Sequence, residues 1–286
     1  MSITKNQTLI DCLPPISIFY NQKTGIETSY RRQQPEFPDR PRPALVFLHG
    51  FNGSSKSWAC QFAHFTDHPV IAVDAPGFGQ SQAYDGDMAT IAGEVAALIS
   101  SLVIDKVVII GHSMGGMLAQ VLGALHPELC AAIILSCTHK GRAQPTGTPL
   151  GPAVMERIEQ RKIMDDAAYG ALRVGKMLAG EIDPKIVQFL AMVAGEIRVE
   201  GIRSGGLAMH HLDTTDLLAK IVAPVAIFTG SEDIVVTPEA ITALKMGLPQ
   251  ARHFPIAGVG HAPYCEDATS FNVAIKQFLA DVLKSQ

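Results

Sequence analysis

Three residues have the types and surroundings that nucleophilic catalysis requires. Ser113 stands in Gly111-His112-Ser113-Met114-Gly115, directly after the apolar run Val107-Val108-Ile109-Ile110. Asp233 lies in Thr229-Gly230-Ser231-Glu232-Asp233, and His261 in Ala257-Gly258-Val259-Gly260-His261. A serine hydroxyl is a weak nucleophile near neutrality, so it needs a base beside it and a group that orients the base. The chain order Ser, Asp, His, each just past a predicted strand, suits a nucleophile on a strand-to-helix elbow. In parallel sheets the loops at the carboxyl ends of strands collect function. The chemistry these residues suit is attack on an acyl carbonyl, with His261 as base and Asp233 holding its tautomer. Glu232 is the alternative acid, although the G-x-x-D spacing after the strand favours Asp233.

The surroundings of Ser113 match that reading. At the tip of an elbow it takes a backbone conformation most residues avoid, and Gly111 and Gly115 remove the Cβ atoms that would collide. The helix that follows presents its positive end to the hydroxyl. An oxyanion needs two donors. The N–H of Met114, next to the nucleophile, is one. The N–H of Phe51, in His49-Gly50-Phe51-Asn52-Gly53, is the other. His112 reads as an elbow packing residue, and His210 with His211 as a weaker alternative for substrate contact.

These residues have to be carried by a sheet. Apolar or β-branched runs predict strands at Ile16–Tyr20, Gly25–Arg31, Ala44–Leu48, Val70–Val73, Lys106–Ile110, Ala131–Leu135, Val225–Thr229 and Ala251–Phe254. Helical periodicity predicts helices over Thr90–Leu102, Met114–His126, Pro238–Met246 and Ser270–Lys284. The alternation implies an α/β fold: a mostly parallel central sheet with helices on both faces. A proline-rich polar spacer runs from Gln34 to Pro43. Residues 138–212 break the alternation, with a Gly/Pro/Thr-rich loop followed by helices only. They are expected to form an all-helical cap between two core strands, with residues 1–137 and 213–286 as the core domain. Met155, Met164, Met177, Met192 and Met209 contribute to its apolar faces, and flexible thioethers suit a pocket for varied apolar groups.

Composition excludes several classes. Over 286 residues, 47% are hydrophobic and 17% charged, ample for a core and unlike a disordered chain. A net charge of -4 gives no basic field for nucleic acid or an anionic membrane. The five cysteines are widely spaced with no C-x-x-C pair, which argues against a disulfide framework or a structural zinc site. The start, Met1 to Gln7, is polar and unlike a signal peptide. No apolar run approaches the ~18–20 residues of a membrane span. A soluble, cytoplasmic protein without metal or cofactor is expected.

Taken together, His49-Gly50-Phe51, the stretch Asp74-Ala75-Pro76-Gly77-Phe78-Gly79-Gln80-Ser81, the elbow Gly111 to Gly116, Gly230-Ser231-Glu232-Asp233 and Gly260-His261 resemble the α/β-hydrolase-fold family. Within it the chain is similar to the small capped serine hydrolases: enol-lactonases, carboxylesterases, carbon–carbon bond hydrolases and cofactor-free haloperoxidase-type esterases. The resemblance implies the Ser113, Asp233, His261 triad, and a structural turn from Asp74 to Ser81. Ser113 departs from the Asp nucleophile of haloalkane dehalogenases and epoxide hydrolases. His112 and Ala262 depart from the Asn and aromatic residue usual in ring-cleavage hydrolases. The expected activity is cleavage of a small to medium, largely apolar carboxylic ester or lactone through an acyl-enzyme on Ser113. Alternatives are carbon–carbon cleavage of a diketone, a small-ligand receptor of the same fold, and acyl transfer. The partner is a small-molecule ester, lactone or diketone.

Overall fold

Runs of consecutive apolar residues, too short for helices and apolar on both faces, build the middle of the sheet. The computed structural model describes residues 8–35 and 42–283, so Met1 to Gln7, most of the proline-rich spacer and Lys284 lie outside the described residues. In chain order the elements are β1 (Ile16–Asn21), β2 (Ile26–Gln33), β3 (Ala44–Leu48), α1 (Ala59–His64), β4 (Val70–Val73), α2 (Met88–Ser101), β5 (Val107–His112), α3 (Met114–Leu125) and β6 (Cys130–Ser136). Then follow α4 (Pro152–Ile163), α5 (Asp166–Val174), α6 (Pro184–Gly195), α7 (Val199–His210), α8 (Thr215–Leu218), β7 (Val225–Gly230), α9 (Pro238–Gly247), β8 (Arg252–Ile256), α10 (Pro263–Glu266) and α11 (Ala268–Leu283). The strands form one eight-stranded sheet in the order β1-β2-β4-β3-β5-β6-β7-β8. The pairs β1/β2 and β2/β4 are antiparallel and all others parallel, which is the mostly parallel sheet expected.

The pleat divides the core in two, because successive side chains of a strand point to opposite faces. On β3, Ala44, Val46 and Leu48 join a cluster with α2 and α3, including Ile91, Val95, Val121 and Leu122. Leu45 and Phe47 point the other way, to α1 and α11, where Phe62, Phe271, Ile275 and Phe278 pack. Burying each such side chain stabilises the fold by ~1.5–3 kcal/mol. Both faces of the sheet are therefore covered by helices.

Five helices, α4 to α8, fall between β6 and β7, and α4 to α7 lie in the span without strand signals. They have no separate core. Val154, Ile158, Ile202 and Met209 join the first cluster, and Phe189, Leu190 and Val193 the second. The start of α7 seats on the turn after β4. Gly77 has φ +82°, and a Cβ on it would lie 2.6 Å from the Gly201 Cα, so only glycine allows this contact. Arg198 closes it by donating from Nε to the Gly77 carbonyl (3.0 Å) and from Nη2 to the Ser81 carbonyl (2.6 Å). The turn itself is organised around Asp74, which is buried. Its carboxylate accepts from Ser29 Oγ at 2.7 Å and from the Ser55 N–H and Oγ at 2.5 and 3.2 Å.

One close backbone approach lies under the elbow. A Cβ on Gly115 would stand 2.1 Å from the Leu48 carbonyl oxygen. By contrast, a Cβ on Gly93, inside α2, would meet nothing within 4 Å. Two substitutions of the same kind should therefore act with opposite sign. Gly115→Ala is expected to cost ~1–3 kcal/mol or more through forced backbone movement. Gly93→Ala should stabilise by ~0.5–1 kcal/mol, the helix cost of glycine. Thermal and urea unfolding of the two variants checks this, and equal effects would contradict the packing.

Candidate active site

The elbow is strained at Ser113. Ser113 has φ +52° and ψ -114°, one of four non-glycine residues with positive φ among the described residues. The surrounding bonds hold it there. Its N–H donates to the Ser136 carbonyl (2.9 Å), while its carbonyl accepts from the N–H groups of Gly116 (2.9 Å) and Met117 (3.1 Å) and from Thr138 Oγ1 (2.7 Å). From Val107 to Gly123 every residue is buried except Ser113. The fold thus brings this one hydroxyl-bearing residue toward solvent out of an otherwise closed strand and helix.

Asp233 and His261 meet across the loops after β7 and β8. His261 Nδ1 donates to Asp233 Oδ2 at 2.9 Å, with side-chain exposures of only 4% and 6%. The other carboxylate oxygen accepts from the N–H groups of Val235 (2.8 Å) and Val236 (3.2 Å). Burial pushes the Asp233 carboxyl up, but the hydrogen bond and charge of His261 and these N–H donors outweigh it and leave the value lowered. The acid therefore stays ionised, and an Nδ1–H imidazole leaves Nε2 as its acceptor. Among the described residues no hydrogen bond joins Ser113 to His261. Glu232 is exposed and accepts from Ser231 Oγ, so it does not reach the imidazole.

The loop after β3 packs against the elbow. A Cβ on Gly50 would lie 2.6 Å from His112 Nδ1 and 3.2 Å from Ser113 Cβ. The Gly50 carbonyl accepts from the Gly53 N–H and from His49 Nδ1, while His49 Nε2 accepts from the Ala75 N–H. These partners fix His49 as the neutral Nδ1–H tautomer, consistent with the lowering of its pKa by burial. Phe51 and Met114 N–H groups have no acceptor among the described residues outside regular elements, and Met114 opens α3, where a helix cannot satisfy its own donors.

Several site residues were not visible from spacing alone. His112 does more than pack: its Nε2–H donates to the His261 carbonyl at 2.6 Å, and its ring lies 4.8 Å from those of His261 and Tyr264. Glu266 holds the loop around His261, accepting from the N–H groups of Gly260 (2.8 Å), Ala262 (2.7 Å) and Ala179 (2.9 Å). The His261 N–H donates to the Met177 carbonyl at 2.7 Å. His210 and His211 lie on and just after α7, with rings 4.9 Å apart; His210 Nε2 is buried without a partner among the described residues.

Among the described residues, Cys137, Asp233 and His261 form a cluster whose ligand atoms lie within 4.8 Å of one another. Asp233 and His261 are already bonded to each other. Burial, then the Asp233 charge, pushes the Cys137 thiol well above its ordinary value, so it stays protonated and a poor metal ligand.

The fold matches known proteins. A family model described as alpha/beta hydrolase fold matches residues 43–268. The chain is 27% identical over 244 residues to the AB hydrolase superfamily protein YisY of Bacillus subtilis, covering 82% of this chain and 90% of that one. The enol-lactonase from Burkholderia xenovorans superposes with a TM-score of 0.78 at 22% identity, over 90% of this chain and 98% of the other. A thermophilic esterase from Thermogutta terrifontis does so at 0.79 and 24%, over 94% and 99%. Among the described residues no helix is long and apolar enough to cross a membrane.

The elbow histidine makes stability depend on pH. Burial, then the neighbouring His261, pushes His112 down to about 3, against an ordinary 6.5. The unfolded chain therefore takes up a proton that the folded chain refuses, so stability is full above the unfolded value and falls as pH drops toward the folded one. Between about pH 7 and pH 4 this amounts to on the order of 3 kcal/mol. His112→Gln, which can keep a donor toward the His261 carbonyl, should lose most of that acid slope in urea unfolding. An unchanged slope would assign it to other groups.

Proposed function

The chain belongs to the alpha/beta-hydrolase family, and on that footing we propose that it is a metal-free serine hydrolase cleaving a carboxylic ester or lactone through an acyl-enzyme on Ser113. The observation that carries the proposal is the buried bond from His261 Nδ1 to Asp233 Oδ2, at 2.9 Å, in loops at the same end of the sheet as the strained Ser113. With Nδ1 protonated, Nε2 of His261 takes the Ser113 proton as Oγ attacks the carbonyl carbon. Asp233 stabilises the imidazolium. The N–H groups of Phe51 and Met114 receive the oxyanion, each worth ~10²–10³ in rate. Collapse breaks the bond to the leaving oxygen, which takes the proton from His261. Water then gives a proton to the same nitrogen as its oxygen bonds to the acyl carbon; the bond to Ser113 Oγ breaks, Oγ takes that proton back, and the acid leaves.

In this reading α4 to α7 form the cap, residues 138–212, over a core of 1–137 and 213–286, and the partner is a small molecule. The esterase and enol-lactonase likenesses support the hydrolase class, while the acyl group is a question for substrates. Hydrolysis of p-nitrophenyl esters from acetyl to octanoyl should show a burst followed by turnover, absent in Ser113→Ala. Asp233→Asn should lose about 10³–10⁴ in kcat, whereas Glu232→Gln should be near neutral. Turnover that survives Ser113→Ala would overturn the acyl-enzyme, and a reversed order of the two acids would move that role to Glu232.

A further inference from the structure

The helices over the site carry positive charge that the fold leaves unneutralised. Arg157, on α4, lays its guanidinium over the Phe51 ring at 5.1 Å, and its Nη1 donates to Asn52 Oδ1 at 3.2 Å. Both partners belong to the loop whose Gly50 packs on Ser113. Phe51 also meets α7: a Cβ on Gly205 would lie 3.0 Å from the Phe51 ring and 2.9 Å from Met114 Sδ. Asn52 Nδ2 contacts Met177 Sδ at 3.2 Å, and the Met177 carbonyl receives the His261 N–H. Arg157 thus touches the loop that packs on Ser113 and is linked to His261 through Asn52 and Met177.

The neighbouring arginines show what is unusual. Arg161, one turn on, has its counter-ion in Asp166 at 2.6 Å. Among the described residues Arg157 and Arg173 have none. Arg173 stacks on Tyr169 at 5.3 Å, donates from Nη2 only to the neutral Gln160 amide, and keeps a buried Nε without a partner. The carboxylates of α4 are engaged elsewhere, Glu159 with Lys162 and Glu156 with Gln160. Burial, then the positive charges of Arg173 and Arg142, pulls the Arg157 guanidinium below its ordinary value. Holding like charges together out of water is unfavourable unless an anion completes the set.

We propose that Arg157, with Arg173 behind it, receives a carboxylate of the substrate, so that the preferred ester or lactone is an acid bearing a second, free carboxylate. The inference rests on the serine-hydrolase reading above and narrows its substrate class. A planar guanidinium matches a two-oxygen carboxylate, and with Nη1 committed to Asn52 the donors that remain suit it better than a three-oxygen phosphate. Seated beside Phe51, the anion would anchor the acyl chain on the oxyanion side of the nucleophile.

The test compares the mono-p-nitrophenyl ester of glutaric acid with p-nitrophenyl pentanoate, which has the same chain length and no charge. The unaltered chain should prefer the glutarate ester in kcat/KM. Arg157→Met should lower the ratio of the two by about 10- to 100-fold, the worth of a charged hydrogen bond, and Arg157→Lys should recover part of it. Thermal unfolding gives a readout independent of turnover. Glutarate should raise the Tm of Ser113→Ala and fail to do so when Arg157→Met is added. A ratio unchanged by Arg157→Met, or stabilisation by inorganic phosphate but not glutarate, overturns the proposal. Turnover persisting in Ser113→Ala would instead overturn the serine reading, with the glutarate titration still informative.

Discussion

A carbonyl oxygen of β3 lies so close to the turn after Ser113 that residue 115 has no room for a side chain. This contact fixes the spacing between the elbow and the sheet, and much of the site follows from it. With α3 pressed onto the end of β3, the loop that begins at His49 runs directly alongside the nucleophile. Gly50 then meets His112 and Ser113 without a Cβ. Had either glycine been larger, the loop after β3 and the turn after Ser113 would stand apart. The positive φ at Ser113 is the local cost of the approach, held by the Ser136 and Thr138 bonds.

Around this contact, neutral imidazoles serve as rigid struts. His49 links its own loop to the turn after β4, and His112 links the elbow to the carbonyl of His261. The two carry their protons on opposite nitrogens, each dictated by partners that can only donate or only accept. Because burial keeps both uncharged, they brace the site without adding charge next to Asp233.

Much of this was legible in the residue order. The inner strands announced themselves through β-branched runs, and their bounds differ from expectation by a residue or two. The strand at Val107 continues through Gly111 and His112 because those residues still pair with Leu135 and Ser136. Asp233 and His261 are bonded as their spacing indicated. The short helices α1 and α10 were not legible, since a single turn has too few residues to show a period, and Trp58, Phe62 and Tyr264 set them by tertiary burial. Nor could spacing reveal Glu266, Thr138 or the contact of Arg157 with Phe51. These depend on how loops distant in sequence come to lie against one another.

The carboxylate of Glu266 grips both sides of a seam. It takes N–H groups from Gly260 and Ala262, which flank His261, and from Ala179, which joins α5 to α6. With the Met177 carbonyl bonded to His261 itself, this joint and the base loop form one mechanical piece. Any movement of the α5–α6 connection would therefore pull on the loop that carries His261.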